Sequence, residues 1–185
     1  DRNDYIAHPT TGEALAPDSL AMLERLRDSW GSDPPKGQIV ISDGLNAKAI
    51  MDEGHLAPYL RELTRLLAEA GIAMSDRNIV VTGGRVRAGY RIGELLFANA
   101  DPNSFRGILH VIGERPGTMH HAYSVYITVA RGRTWAEKRI DHDITKLVSN
   151  VADTALPPEE AAHDTLTIIR EVVGRNVGGS RRLGT

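Results

Sequence analysis

Apolar residues recur at helical spacing in four stretches of the chain and bunch into short β-favouring runs in four others. Leu20, Met22, Leu23 and Leu26 follow Asp18 and Ser19, either of which can cap a helix ending near Trp30 and Gly31. APYLRELTRLLAEAG repeats Leu60, Leu63, Leu66 and Leu67 and stops at Gly71, the clearest helical pattern present. AGYRIGELLFA carries Ile92, Leu95 and Leu96 before ADPNS breaks it. PPEEAAHDTLTIIREVVGRN opens on prolines and acids, which suit the positive end of a helix. Between these segments QIVIS, NIVV, FRGILHVIG and AYSVYITVA read as buried strands. Strands alternating with helices predict an α/β fold, a Rossmann-like, mostly parallel sheet with helices on both faces.

Three turns follow predicted strands directly: DGLN, GGRVRAG and GERPGTMHH. In open α/β sheets ligands bind beyond the carboxyl ends of the strands, so all three turns are expected on one functional rim. The 185 residues suit one sheet domain over 37–176, preceded by an arm and helix (1–36) and followed by a tail (177–185) expected to be disordered. The chain opens on Asp1 rather than methionine, so residues upstream are expected.

Composition narrows the function. With 22 basic against 24 acidic side chains and a pI near 6.4, no basic field exists to attract nucleic acid or anionic lipid. Aromatics make up 5%, too few for a platform that stacks bases. The absence of cysteine excludes disulfides, thiolate zinc sites and cysteine nucleophiles, and fits a reducing compartment. No apolar run approaches the roughly 20 residues that span a bilayer, and DRNDYIAHPTTGEAL lacks a signal-peptide pattern. A cytoplasmic protein is expected.

The rim offers glycines for close backbone approach, acceptors at Asp43 and Glu114, and forked donors at Arg85 and Arg115. That set suits a broad ligand carrying amides and a phosphate, although a surface ion pair stiffening a turn accounts equally well for Glu114 and Arg115. GGRVRAG has neither the G-x-G-x-x-G fingerprint nor Walker-A spacing. His120 and His121, with His110 and the Asp141–Asp143 run, invite a metal reading. Adjacent strand residues point to opposite faces, however, and ordinary solvated or core-edge histidines are the better account. Asp141 and Asp143 read as a charged loop rather than a pair of acid/base carboxylates. There is no G-x-S-x-G elbow, and no self-contained active site emerges. The Leu60, Leu63 and Leu67 stripe reads as core rather than as a partner-binding face.

Six segments then occur in a telling order: VISDGLNAKAI, GGRVRAGYRIGELL, VIGERPG, YSVY, LVSNV and PPEEAA. In this order over most of residues 38 to 172, with DRNDYIAHPTTGEAL ahead of them, the chain resembles the small subunit of ethanolamine ammonia-lyase, the adenosylcobalamin-dependent enzyme that eliminates ammonia from a vicinal amino alcohol. GERPG behind a hydrophobic strand is the most specific of these motifs. The resemblance implies that cobalamin lies between this subunit and a large TIM-barrel subunit that holds the amino alcohol and the radical chemistry. It implies that Val86, Glu114 and Leu147 contact adenosylcobalamin, with Arg115, Asp43 and Gly44 at the same rim in ordering roles. D-x-H-x-x-G is missing, so cobalamin is expected to keep its own dimethylbenzimidazole ligand. No catalytic residue and no protein metal ligand are expected in this chain, which would work as part of a hetero-oligomer in the cytoplasm or a bacterial microcompartment.

The chain departs from its relatives in four ways. TMHH replaces a longer serine-containing loop after GERPG, ADPNSF is inserted after GELL, Leu147 stands where cysteine is frequent, and the N-terminal region is shorter. These mark a divergent branch, for which another amino alcohol is a natural substrate. Two other readings stand beside this one: a non-catalytic cobalamin- or nucleotide-binding module, and a stand-alone metal hydrolase using His120, His121 and Asp143.

Overall fold

The computed structural model describes residues 14–115 and 121–178, with side chains to 175. The expected helices and strands form, with shifted ends. Helix α1 (Pro17–Ser29) starts earlier than predicted, because Pro17 takes the first helical position and Ala16 the cap. Asp18 therefore lies inside the first turn, where its charge meets the positive end of the helix. There follow β1 (Gly37–Ser42), a short α2 (Lys48–Met51), α3 (Leu56–Glu69), β2 (Ile79–Val81), α4 (Val86–Leu96), β3 (Phe105–Gly113) and β4 (Tyr123–Arg131). A short α5 (Gly132–Ala136), a single 3-10 turn (His142–Ile144), β5 (Thr145–Val151) and α6 (Pro158–Gly178) complete the described chain.

The strands form one five-stranded sheet in the order β2-β1-β3-β4-β5. β1 pairs in parallel with both β2 and β3. β4 pairs antiparallel with β3 and with β5, so β5 runs in the direction of β1, β2 and β3. The sheet is thus mixed, with Rossmann-type parallel pairing confined to β2, β1 and β3. Chain length explains the reversal at β4. Nine residues, 114–122, separate β3 from β4, and a parallel return needs a crossover of a dozen or more.

Helices cover both faces. On one, α3 and α6 bury Tyr59, Leu63, Leu67, Ala162 and Leu166 against Ile39, Leu109, Val125 and Ile127. On the other, α1, α4 and α5 bury Leu23, Ile92, Leu96 and Trp135 against Val40, Ile108 and Ala130. Alternate residues of β1 and β3 divide between the two cores, as the two-residue strand period requires. Gly93 lets α4 lie close on the sheet, since a Cβ there would overlap the fully buried Trp135 indole and stand 2.8 Å from Ile108. No helix among the described residues is long and apolar enough to cross a membrane.

Candidate functional site

The three strand-end turns do converge. Asp43, after β1, accepts a hydrogen bond from the Gly83 N–H after β2 at 2.8 Å. The Leu45 N–H donates to the Gly113 carbonyl at the end of β3 at 2.9 Å. Gly44 has φ of +57°, and a Cβ there would overlap Gly113, so only glycine fits this crossing of two backbones. Arg85 reaches back across the turn, donating through Nη1 to the carbonyls of Gly44 (2.9 Å) and Gly84 (2.8 Å). Asp43, Gly44 and Arg85 therefore bind the rim together. Arg115 is exposed and is the last described residue of its turn. Pro116 to His120 lie outside the described residues, as do the arm before residue 14 and the chain after 178.

Below the rim, register across the sheet builds a second arrangement. His110 on β3 pairs with Val40 on β1 and with Tyr126 on β4, and Tyr126 pairs with Leu147 on β5. These four residues share the face carrying α4. His110 is buried, and its Nε2 meets Ser42 Oγ at 2.6 Å. Burial depresses its pKa to about 3, a shift offset in part by the nearby Val86 backbone. Among the described residues no group meets hydrogen-bonding geometry at its Nδ1. The neutral imidazole is wedged under the GGRVRAG segment. A Cβ at Gly84 would collide with Ser42, and one at Gly89 would stand 2.5 Å from Nδ1. Val86, half-buried as the first residue of α4, sits between these two glycines.

Along the row, cover falls away. Tyr126 is half-buried and Leu147 is 48% exposed. The Tyr126 hydroxyl donates to Glu114 Oε1 at 3.2 Å. Glu114 is also held by its backbone, whose N–H donates to the Ala122 carbonyl at 3.0 Å. Glu114 and Leu147, from separate segments, thus both meet Tyr126, while Val86 opens α4, with its backbone near His110 on β3. A polar cluster bounds this face on the α4 side. Tyr90 Oη meets His142 Nδ1 at 3.1 Å and Thr145 Oγ1 at 3.0 Å, and Thr145 Oγ1 meets Thr128 Oγ1 at 3.0 Å.

The histidines do not gather. His110 is buried with Ser42, His142 is turned to Tyr90, and His121 Nδ1 meets Asp52 Oδ2 at 2.6 Å. Among the described residues no three His, Asp or Glu side chains could hold one ion. Asp141 and Asp143 belong to the 3-10 turn rather than to an open loop, Asp141 capping it by accepting from the His142 N–H at 2.7 Å and Asp143 lying inside it. A groove of about 930 Å³ lies elsewhere, between α1 and the β2 edge. It takes in Gly83 to Arg85 but neither Glu114 nor Leu147. Glu114 and Tyr126 are half-buried and Leu147 is exposed, so this face is open at its β5 side.

Comparison with known proteins gives the family. The profile of the ethanolamine ammonia-lyase light chain matches residues 1–181. The chain belongs to the ethanolamine ammonia-lyase light-chain family. The ethanolamine ammonia-lyase small subunit of Bradyrhizobium diazoefficiens is 34% identical over 182 residues, covering 97% of this chain and 62% of that protein. The small subunit of Rhodopseudomonas palustris is 34% identical over 183 residues, covering 96% and 61%. That of Pseudomonas aeruginosa is 32% identical over 186 residues, covering 97% and 60%. This light-chain family member therefore spans about three-fifths of the length of the curated relatives it matches. The family is named for a light chain, and these relatives are named as small subunits.

Proposed function

We propose that this chain is the cofactor-binding small subunit of an adenosylcobalamin-dependent ammonia-lyase acting on ethanolamine or a related vicinal amino alcohol. A large TIM-barrel subunit completes the site and holds the substrate. The observation that carries this reading is the meeting of Glu114 and the exposed Leu147 at Tyr126, on the sheet face that also carries α4, in a member of this family.

The donor set suits a corrin. A corrin edge carries carboxamides, whose N–H groups need acceptors, around a large and mostly apolar ring. A carboxylate offers about four lone-pair sites, so the hydrogen bond from Tyr126 leaves Glu114 capacity for amide donors. Leu147 and Val86 supply apolar contact on either side. When bound, the cofactor supplies the radical by homolysis of its cobalt–carbon bond. This chain's residues bind and orient it: Glu114 fixes the corrin edge, Val86 and Leu147 exclude water beside it, and Asp43, Gly44, Arg85 and Arg115 order the rim. We assign this binding unit to residues 37–176, with α1 from the preceding segment packed onto it. Its expected setting is the cytoplasm, free or within a bacterial microcompartment.

Co-expression of this chain with the large subunit encoded beside it, followed by gel filtration in adenosylcobalamin, tests the reading. Protein and corrin absorbance should co-elute, with both chains and a base-on cofactor in one peak. If the chain runs alone, with or without cobalamin, the shared-site reading is wrong.

A further inference from the structure

We propose that Tyr126 is a fourth cofactor contact on this face and the residue that orients Glu114, an inference that rests on the cofactor reading above. The pattern of cover along β4 points to it. Between the ends of this strand every residue is buried except Tyr126, although β4 lies inside the sheet between β3 and β5. Ser124 and Thr128, two residues either side on the same face, are both buried. The gap in the helical layer over β4 therefore opens at Tyr126. The exposed Leu147 directly opposite it on β5 extends the same opening.

The other described tyrosines behave differently. Tyr59, Tyr90 and Tyr123 are all buried, and their hydroxyls meet Thr165, His142 and the His55 carbonyl within the fold. Tyr126 is only half-buried and sends its hydroxyl to a rim carboxylate. A phenol is flat, uncharged and stiff, so it offers contact area to a macrocycle at low conformational cost. Its hydroxyl holds Glu114 in place before ligand arrives, which reduces the ordering cost of the amide contacts. The backbone hydrogen bond from Glu114 to Ala122 fixes the other end of that side chain. His110, directly opposite Tyr126 on β3 and hydrogen-bonded to Ser42, gives the ring a rigid neighbour.

The test measures adenosylcobalamin affinity of the two-subunit complex by ultrafiltration and records the visible bands of the bound corrin. The variants are Tyr126→Phe, Tyr126→Ala, Glu114→Ala and the double variant Tyr126→Phe/Glu114→Ala. Loss of a hydrogen bond to a charged group is expected to weaken binding about tenfold in Tyr126→Phe. The double variant should bind no more weakly than Glu114→Ala alone, because the hydroxyl acts through that carboxylate. Tyr126→Ala should bind more weakly still and shift the corrin bands, and Tyr126→Phe should restore the bands because it keeps the ring. Wild-type affinity in Tyr126→Phe, or fully additive losses in the double variant, overturns the inference while leaving the cofactor reading intact. A wild-type complex that takes up no cobalamin overturns the cofactor reading, and this inference with it.

Discussion

His110 is a titratable side chain placed where it cannot easily titrate. Its folded pKa, about 3, lies below the ordinary histidine value of about 6.5, because burial disfavours the charged ring. Between those values the unfolded chain binds the proton and the folded chain does not. The contribution is fully present above about pH 6.5 and is lost progressively as pH falls towards 3. Urea unfolding should therefore lose about 2 kcal/mol between about pH 7 and about pH 5 from this group alone. In His110→Gln that part of the slope should vanish, while a variant curve parallel to wild type would assign the loss to other groups. Sequence position alone brought out Asp43 and Glu114, because each stands where a strand has just ended, whereas Val86 and Leu147 came from the family resemblance. Ser42 and Tyr126 were not legible that way. Their roles come from cross-strand register, Ser42 against His110 and Tyr126 against both His110 and Leu147, which no local pattern encodes.

At the scale of elements, long amphipathic helices and buried strands were legible, and edges were not. β5 escaped the pattern because, as an edge strand, it buries only Val148 and Val151 fully and exposes Lys146, Leu147, Ser149 and Asn150. Its LVSNV run mixes polar and apolar residues without the alternation that signals a half-buried strand. α2 and α5, of four and five residues, are too short to show a helical period. α4 shows the opposite case, a clear helix whose glycines carry information beyond its period. Gly93 is a point of contact between layers, and Gly93→Ala should cost about 1–3 kcal/mol, because a methyl there overpacks against Trp135 and Ile108. Thermal or urea unfolding checks this, and no loss, or the gain of up to about 1 kcal/mol that alanine ordinarily gives over glycine inside a helix, would mean that α4 can lift away without penalty.

For the whole molecule, the relevant asymmetry is between a face sealed by α3 and α6 and a face on which α1, α4 and α5 leave the Tyr126–Leu147 end open. With a formal charge of -2, the chain has no strong field to recruit a charged partner. Shape and apolar contact must do most of that work. Leu147→Asp separates folding from assembly, since the side chain is 48% exposed. The isolated chain should melt within about 2 °C of wild type. The same change should prevent co-elution with cobalamin and the large subunit, by setting a charge against the corrin. A variant that assembles normally would remove Leu147 from the shared surface.

The β3–β4 hairpin closes through Gly113 opposite Tyr123 and the Glu114 to Ala122 hydrogen bond, with His121 pinned to Asp52. This neck fixes the pairing of β3 with β4 at the sheet side of the connection. Residues gained or lost in the connection need not pass a register slip into β4, where a shift of one position would turn every side chain over. A lineage can therefore shorten that connection to TMHH, or lengthen it, while the strands beneath keep their register. The neck acts as a socket that tolerates different inserts.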